Sequence, residues 1–223
     1  MKKYILRFSS TLLTVAFQLA AAHLGIATTF NFSNTAPITI NDNAAATPYP
    51  ATINVSGFTA RISDLNVTIT GLSHTFPTDI GILLVGPGGQ SVVLMDNTGG
   101  VNPIINVNIV FDDEAATGVP NPIIGSLASG TYKPTNNSPT DVFGPPAPGG
   151  PYGAALSVFD NTLPNGIWQL FVRDFSAGDS GLISGGFSLQ VTTPEPTSIL
   201  LLGLGLFTVA AWLRRKTQRR LLR

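Results

Sequence analysis

Apolar residues in the central region recur at every second position, and this alternation limits what the chain can fold into more than any other feature. The segments Leu65–Ile69, Val107–Phe111 and Phe187–Val191 all alternate apolar with polar residues. A period of two places successive side chains on opposite faces of a β-strand. Residues 28–193 contain no helical apolar stripe with capping residues. They are therefore predicted to form one all-β domain.

Glycine and proline separate the predicted strands, and the chain has 23 Gly and 17 Pro among its 223 residues. Gly86–Gly89 joins two denser apolar runs, 80–85 and 91–95, as a hairpin turn does. These runs and a third one at 167–172 predict strands that are covered on both faces. Short strands with such turns predict a jelly-roll-like antiparallel β-sandwich with its core at about 52–191.

A long Pro/Gly loop at 112–166 interrupts this pattern with nine prolines and eight glycines. A loop of this length in a compact domain is expected to be ordered and to contain short strands of its own. Its two ends, Phe111 and Ile167, are expected to share a sheet. Three aromatic residues in it either form a platform for sugar rings or pack the loop onto the sandwich, and packing is favoured. They are Tyr132, Phe143 and Tyr152.

The residue inventory excludes several kinds of chemistry. The chain has no cysteine and two histidines, which excludes disulfides, zinc–thiolate sites and thiol nucleophiles. His74 is the one histidine after the N-terminal segment, and no Gly-x-Ser-x-Gly elbow accompanies it. We therefore expect His74 to be structural and the chain to lack a catalytic site.

Charge is distributed unevenly although the formal net charge is zero. Residues 28–193 have three basic and eleven acidic residues, three minus eleven giving a net charge of −8, whereas basic residues cluster at both ends of the chain. An acidic domain repels phosphate backbones, so nucleic-acid binding is not expected.

The N-terminal segment, residues 1–27, begins with basic residues and continues with an apolar stretch. This order is typical of a secretory signal peptide, which forms a signal helix and is cut by signal peptidase. Small residues allow a cut after Ala22 or after Ala27, and the later site is favoured. The alternative is an uncleaved membrane anchor, for which the apolar run is short.

The C-terminal segment, residues 194–223, begins with Pro194, Glu195 and Pro196 and continues with an apolar run. A transmembrane helix is predicted at 198–213, where about 16 residues nearly cross a hydrocarbon core. The basic tail that follows keeps the end of the chain cytoplasmic and the domain before it outside. This tail anchor starts with Arg214, Arg215 and Lys216.

This order of a Pro-Glu-Pro tripeptide, an apolar helix and an arginine cluster resembles the PEP-CTERM sorting signal of Gram-negative bacteria. The resemblance implies recognition by exosortase, a membrane transpeptidase that cuts near the tripeptide. It also implies export to the cell envelope and then to the cell surface or extracellular matrix. A plain C-terminal membrane anchor is the alternative.

A second resemblance covers about residues 52–191. The matching segments resemble, in order, the P/Homo B domain that follows the catalytic domain of proprotein convertases and many bacterial subtilisin-like proteases. This implies a jelly-roll sandwich of about eight strands, and it places catalysis in a separate, larger domain for which this chain has no room. The segments are Ile62–Ile69, His74–Thr75, Asp79–Ile80, Leu83–Gly89, Asn165–Asp174 and Gly181–Ile183.

Calcium is the metal that fits this composition, because it takes oxygen ligands and needs neither His nor Cys. Acidic residues at the predicted strand ends are the candidate ligands, and some P/Homo B domains resemble calcium-binding modules. The alternative is that they are solvated loop residues. The candidates are Asp79, Asp96, Asp112, Asp113, Glu114 and Asp174.

The sequence therefore predicts an exported, exosortase-processed protein with a non-catalytic binding or structural module. Its expected partners after export are an exopolysaccharide or envelope proteins, and its C-terminal helix holds it in the membrane before processing. The alternative is an accessory or stabilising domain for a secreted subtilisin-like serine endopeptidase.

Overall fold

The computed structural model describes residues 27–194 and, within the C-terminal segment, the helical residues Gly205, Thr208, Val209 and Trp212. Among these residues, no helix combines the length and the hydropathy that a membrane crossing requires. Except for these few positions, the predicted signal peptide at 1–27 and transmembrane helix at 198–213 lie outside the described residues.

Thr29–Thr193 form one compact unit, and within residues 27–194 the chain forms twelve strands and two short 3₁₀ helices, Pro77–Asp79 and Leu156–Phe159. The prediction of an all-β domain is confirmed. The strands are β1 (Thr28–Asn34), β2 (Ile38–Ile40), β3 (Ala51–Val55), β4 (Asp64–His74), β5 (Ile80–Val85), β6 (Ser91–Asp96), β7 (Ile104–Phe111), β8 (Gly130–Tyr132), β9 (Thr135–Asn136), β10 (Gly166–Asp174), β11 (Gly181–Ile183) and β12 (Phe187–Thr193).

The strands form two sheets. The seven-stranded sheet has the order β1-β12-β4-β11-β2, with β7 on β4 and β8 on β7, and the five-stranded sheet has the order β3-β10-β5-β6-β9. One core of buried residues joins them, with Trp168 from the smaller sheet and Phe111 and Phe187 from the larger. The two sheets share this core because their strands alternate: in β3 and β12, every second side chain is buried and faces the core.

The loop at 112–166 packs against the outer face of the five-stranded sheet. All residues of β5 are buried, and Leu83 and Phe171 contact Phe143 and Tyr152 from the loop in a second apolar cluster. Phe143 is fully buried and Tyr152 is 7% exposed, while Tyr132 packs half-buried against the main core. The prediction that these aromatic residues attach the loop to the sandwich is confirmed, and a sugar platform on them is not formed.

The prediction that Phe111 and Ile167 share a sheet is wrong. Phe111 ends β7 in the larger sheet, whereas Ile167 lies in β10 of the smaller one. The loop between them crosses from one sheet to the other and supplies β8 and β9, which pair in parallel with β7 and β6. The pairs among β2, β3, β4, β5, β6, β7, β10, β11 and β12 are antiparallel. The jelly-roll topology stays a prediction.

The hairpin predicted at Gly86–Gly89 is confirmed. It joins the antiparallel strands β5 and β6, and Gly86 N–H donates to Gln90 O at 2.9 Å. Gly89 closes the turn with a φ of 85°, a conformation that favours glycine.

The sandwich has two ends, which are defined by the two ends of β4. This strand has 11 residues and is therefore roughly 33 Å long. At its start, Asp64 pairs with Thr192, next to the point where the chain leaves the sandwich. At its finish, His74 pairs with Ile104 and Gly181 and contacts Asp174. We call these the Asp64 end and the His74 end.

Candidate functional site

A buried His–Asp pair lies at the His74 end. His74 Nε2 is 3.2 Å from Asp174 Oδ2, and both side chains are fully inaccessible to solvent. His74 Nδ1 accepts the backbone N–H of Phe76 at 3.1 Å, which assigns the proton of the neutral imidazole to Nε2 and makes this atom the donor to Asp174. The other Asp174 oxygen accepts the N–H of Ser176 at 2.9 Å. Both imidazole nitrogens are therefore occupied, and His74 has no free lone pair with which to act as a base.

Asp174→Asn is expected to destabilise the domain by about 2–3 kcal/mol, because the amide N–H groups replace an oxygen that accepts from buried His74. The measurement is the urea midpoint followed by circular dichroism. Asp179→Asn is the control, since the new amide oxygen keeps the bond that Thr75 Oγ1 donates at 2.6 Å. Equal midpoints for Asp174→Asn and wild type would contradict a stabilising role for the pair.

Two of the predicted calcium ligands, Asp79 and Asp174, come together at the His74 end. Burial raises the pKa of Asp79, and the carboxylates of Asp174 and Asp179 raise it further. Asp42 approaches from a neighbouring loop, where its Oδ1 accepts the N–H of Gly178 at 2.8 Å. This end of the sandwich is therefore acidic.

The other predicted triplet, Asp112, Asp113 and Glu114, lies at the Asp64 end, at the finish of β7. Asp113 accepts the N–H groups of Leu156 and Ser157 at 3.0 and 2.8 Å, so both its oxygens hold the start of a 3₁₀ helix. Asp112 Oδ1 accepts the N–H of Glu114 at 2.7 Å. Hydrogen bonds thus engage three of the four carboxylate oxygens of Asp112 and Asp113.

Asp113 and Glu114 nevertheless line a cavity of about 30 Å³, together with Asp64 and Asp160, which the sequence did not single out. Burial raises the pKa of Asp64, and Asp112 raises it further. Burial and then Asp64 and Asp113 raise the pKa of Asp160. A bound cation would reduce the repulsion between these carboxylates.

Across the described residues, 27–194 and the helical positions beyond, no three His, Asp or Glu side chains are grouped as ligands of one metal ion. Calcium at these acidic residues stays a prediction.

We expect millimolar CaCl₂ to raise the thermal midpoint of the domain by a few degrees and EDTA to reverse this, since a ligand of the folded state stabilises it. Asp64→Asn should reduce the effect if calcium binds at the Asp64 end, and Asp79→Asn should reduce it if calcium binds at the His74 end, so each variant is the control for the other. A midpoint indifferent to both additions would contradict the prediction.

Asp96 lies apart from the other candidates, at the finish of β6. It is 2% exposed, and burial raises its pKa from 3.8 to about 7, with a further contribution from the Asp141 carboxylate. Asp141 lies in the turn after β9, which is held where Asn137 N–H donates to Asp96 O at 3.0 Å. No local signal in the sequence links these two carboxylates, which are 45 positions apart.

The Asp96 pKa predicts a pH dependence of stability in the presence of EDTA. Because the pKa is higher in the folded state, that state binds the extra proton, so the stabilisation is complete below about pH 4 and is lost as the pH rises through 7. Lowering the pH from about 8 to about 6 should increase the free energy of unfolding by up to about 1 kcal/mol. Solvent screening of the Asp96 carboxylate reduces this value. Asp96→Asn should abolish this slope in urea denaturation, and Asp42→Asn should keep it. A slope unchanged in Asp96→Asn would contradict the assignment.

An apolar groove, which the sequence did not reveal, also lies at the His74 end. It is an open cavity of about 360 Å³ between β4, β7 and β11. Ile105 and Leu182 on its walls are 82% and 38% exposed. From the strand alternation, Ile105 and Leu182 can be predicted only to face outwards. That they line one groove depends on which strands become neighbours in the sheet.

The sorting segment joins the sandwich directly. β12 ends at Thr193, and Pro194 follows as an exposed residue. The rest of the predicted motif and tail lies outside the described residues, namely Glu195, Pro196, Arg214, Arg215 and Lys216.

Comparison with solved structures finds distant likeness only. The serine protease of Aeromonas sobria has 16% sequence identity and a TM-score of 0.36. A chain in the complex of that protease (ASP) with the chaperone ORF2 has 15% identity and the same TM-score. Each alignment covers 81% of this chain and 30% of the solved chain. This chain thus spans under a third of their length, and a likeness this weak leaves the P/Homo B resemblance a prediction.

Comparison by sequence gives one family. No curated protein matches the chain at a significant level. Residues 192–216, however, match the PEP-CTERM protein-sorting motif, so the chain carries this sorting motif from the last two residues of β12 onwards.

Proposed function

We propose that this chain is an exported protein that exosortase processes at its tail, and that its sandwich is a P/Homo B-like, non-catalytic binding or structural module. The module acts at the cell envelope, cell surface or extracellular matrix of a Gram-negative bacterium. The observation that carries the proposal is the PEP-CTERM match at residues 192–216.

The junction between sandwich and motif supports this proposal. β12 pairs with β4 up to Thr192, and Pro194 cannot extend the sheet, because proline has no N–H to donate. Pro194 is exposed, and exposed segments next to a folded domain are preferred sites of proteolytic cleavage. Cleavage here would leave the sandwich complete.

The non-catalytic role is supported by how the described residues use His74. Its two nitrogens bond to Phe76 N–H and the Asp174 carboxylate, so the group most suited to proton transfer at neutral pH is committed to structure. Binding through exposed surfaces is the activity that remains for such a module, with an exopolysaccharide or an envelope protein as partner.

Fractionation of the native host tests the proposal. The full chain is expected in the envelope before processing, and the form without its tail is expected outside the inner membrane. A chain truncated after Thr193 is expected as a soluble protein outside the inner membrane, because it retains its export segment. Accumulation of the full chain in the cytosol would contradict the proposal. A stoichiometric complex with a secreted subtilisin-like protease would favour the accessory role instead.

A further inference from the structure

The groove at the His74 end owes its shape to a bulge between β4 and β7. Leu72 pairs with Val107 and His74 with Ile104, so three steps along β7 match two along β4. The extra residue is accommodated near Asn106, whose φ is 55°. Bulges redirect side chains, and here Ile105 stands 82% exposed on the wall of the groove.

The groove is apolar within and acidic at its rim. Ile104, Ile105, Pro103 and Leu182 line it together with parts of β4 and Ser180. Asp179 adjoins Ser180 and accepts the hydroxyl of Thr75, another lining residue. Exposed aliphatic side chains on the walls of a cavity of about 360 Å³ suit it to receive an aliphatic side chain from a partner.

Within residues 27–194, no lysine or arginine forms an ion pair with the acidic rim. Asp42 contacts the backbone of Gly178, and the Asp79 carboxylate lies near that of Asp179. Over residues 27–194 the one ion pair is His74–Asp174, so none of these three rim carboxylates has a Lys or Arg partner in that range. The rim therefore attracts a cation from outside the domain.

We propose that this groove binds a peptide segment in which an aliphatic side chain lies beside a lysine or arginine. The aliphatic side chain occupies the cavity between Ile105 and Leu182, and the cation faces Asp42, Asp79 and Asp179. The acidic sandwich of a second copy or an anionic membrane fits less well, because each would place negative charge against this rim. The proposal does not depend on how the tail is processed.

The test uses the full chain in nanodiscs and an array of pentapeptides with a central leucine flanked by Lys, Glu or Ser. Binding is expected for the Lys-flanked peptides and should weaken with salt. Ile105→Ser should weaken it about tenfold or more, since it removes apolar contact. Asp179→Asn should weaken it about two- to fivefold. Ile167→Ser is the matched control, because Ile167 is a 57% exposed isoleucine of β10, outside the groove.

Several results would overturn the proposal. These are no binding of any peptide, equal binding of Glu- and Lys-flanked peptides, or equal loss in Ile105→Ser and Ile167→Ser. Concentration-dependent dimers that Ile105→Ser abolishes would assign the groove to a second copy instead. Equal thermal midpoints of the variants and the wild type exclude misfolding as the cause.

Discussion

Alanine at all three positions of the tripeptide, Pro194, Glu195 and Pro196, is expected to block tail removal almost completely. The tripeptide lies within the PEP-CTERM match and directly follows the last strand. Without it, the processing enzyme would lose its proposed recognition element, while the predicted membrane helix and basic tail would still hold the chain in the membrane. The precursor should accumulate in the inner membrane, detected by immunoblotting of fractions with antibody against the sandwich.

The control for this experiment replaces the next two residues, Thr197 and Ser198, by alanine. This variant is expected to be processed as wild type if the tripeptide carries recognition. Both variants should keep the wild-type thermal midpoint, because the changes lie beyond β12. Normal processing of the tripeptide variant would show that the tripeptide does not carry the recognition.

Trp168→Ala is expected to lower the free energy of unfolding by about 3–5 kcal/mol. Trp168 is fully buried between the sheets, and its ring centroid is 4.9 Å from that of Phe159. Its Nε1–H donates to Pro164 O at 2.9 Å, so truncation also leaves this carbonyl without its partner. The measurement is urea denaturation followed by circular dichroism.

The control is Ile167→Ala, the neighbouring residue in the same strand. It is 57% exposed, so its change should stay within about 0.5 kcal/mol. A loss below about 1 kcal/mol for Trp168→Ala would mean that the two sheets do not close over this side chain.

Local patterns made much of the fold readable from the sequence. Alternation predicts β4, β7 and β12 because each buries one face, and Gly86–Gly89 predicts its hairpin because the turn needs glycine. The strands β8 and β9 have three and two residues, which is too short for a pattern. β8 and β9 pair in parallel because the loop that crosses between the sheets places them there. The position of that loop depends on contacts between residues that are distant in sequence.

The candidate sites likewise divide into those that a local sequence pattern reveals and those that only the fold brings together. The sorting motif is contiguous, so it was readable in full. His74 and Asp174 are 100 residues apart, and no local signal links a histidine at one strand end to an aspartate at another. Adjacent Asp112 and Asp113 suggested metal ligands, yet Asp113 serves backbone N–H groups of the helix at Leu156–Phe159. The sequence predicts that such carboxylates lie at strand ends, but their hydrogen-bond partners can be identified only from the fold.

Intact-mass and terminal-peptide mass spectrometry of the protein recovered from outside the inner membrane tests the central claim most directly. Export and exosortase processing predict a chain that begins near Thr28, ends near Glu195 and lacks the apolar run and basic tail. A polypeptide that still carries Met1 and Arg223, recovered in the cytosol, would contradict the account.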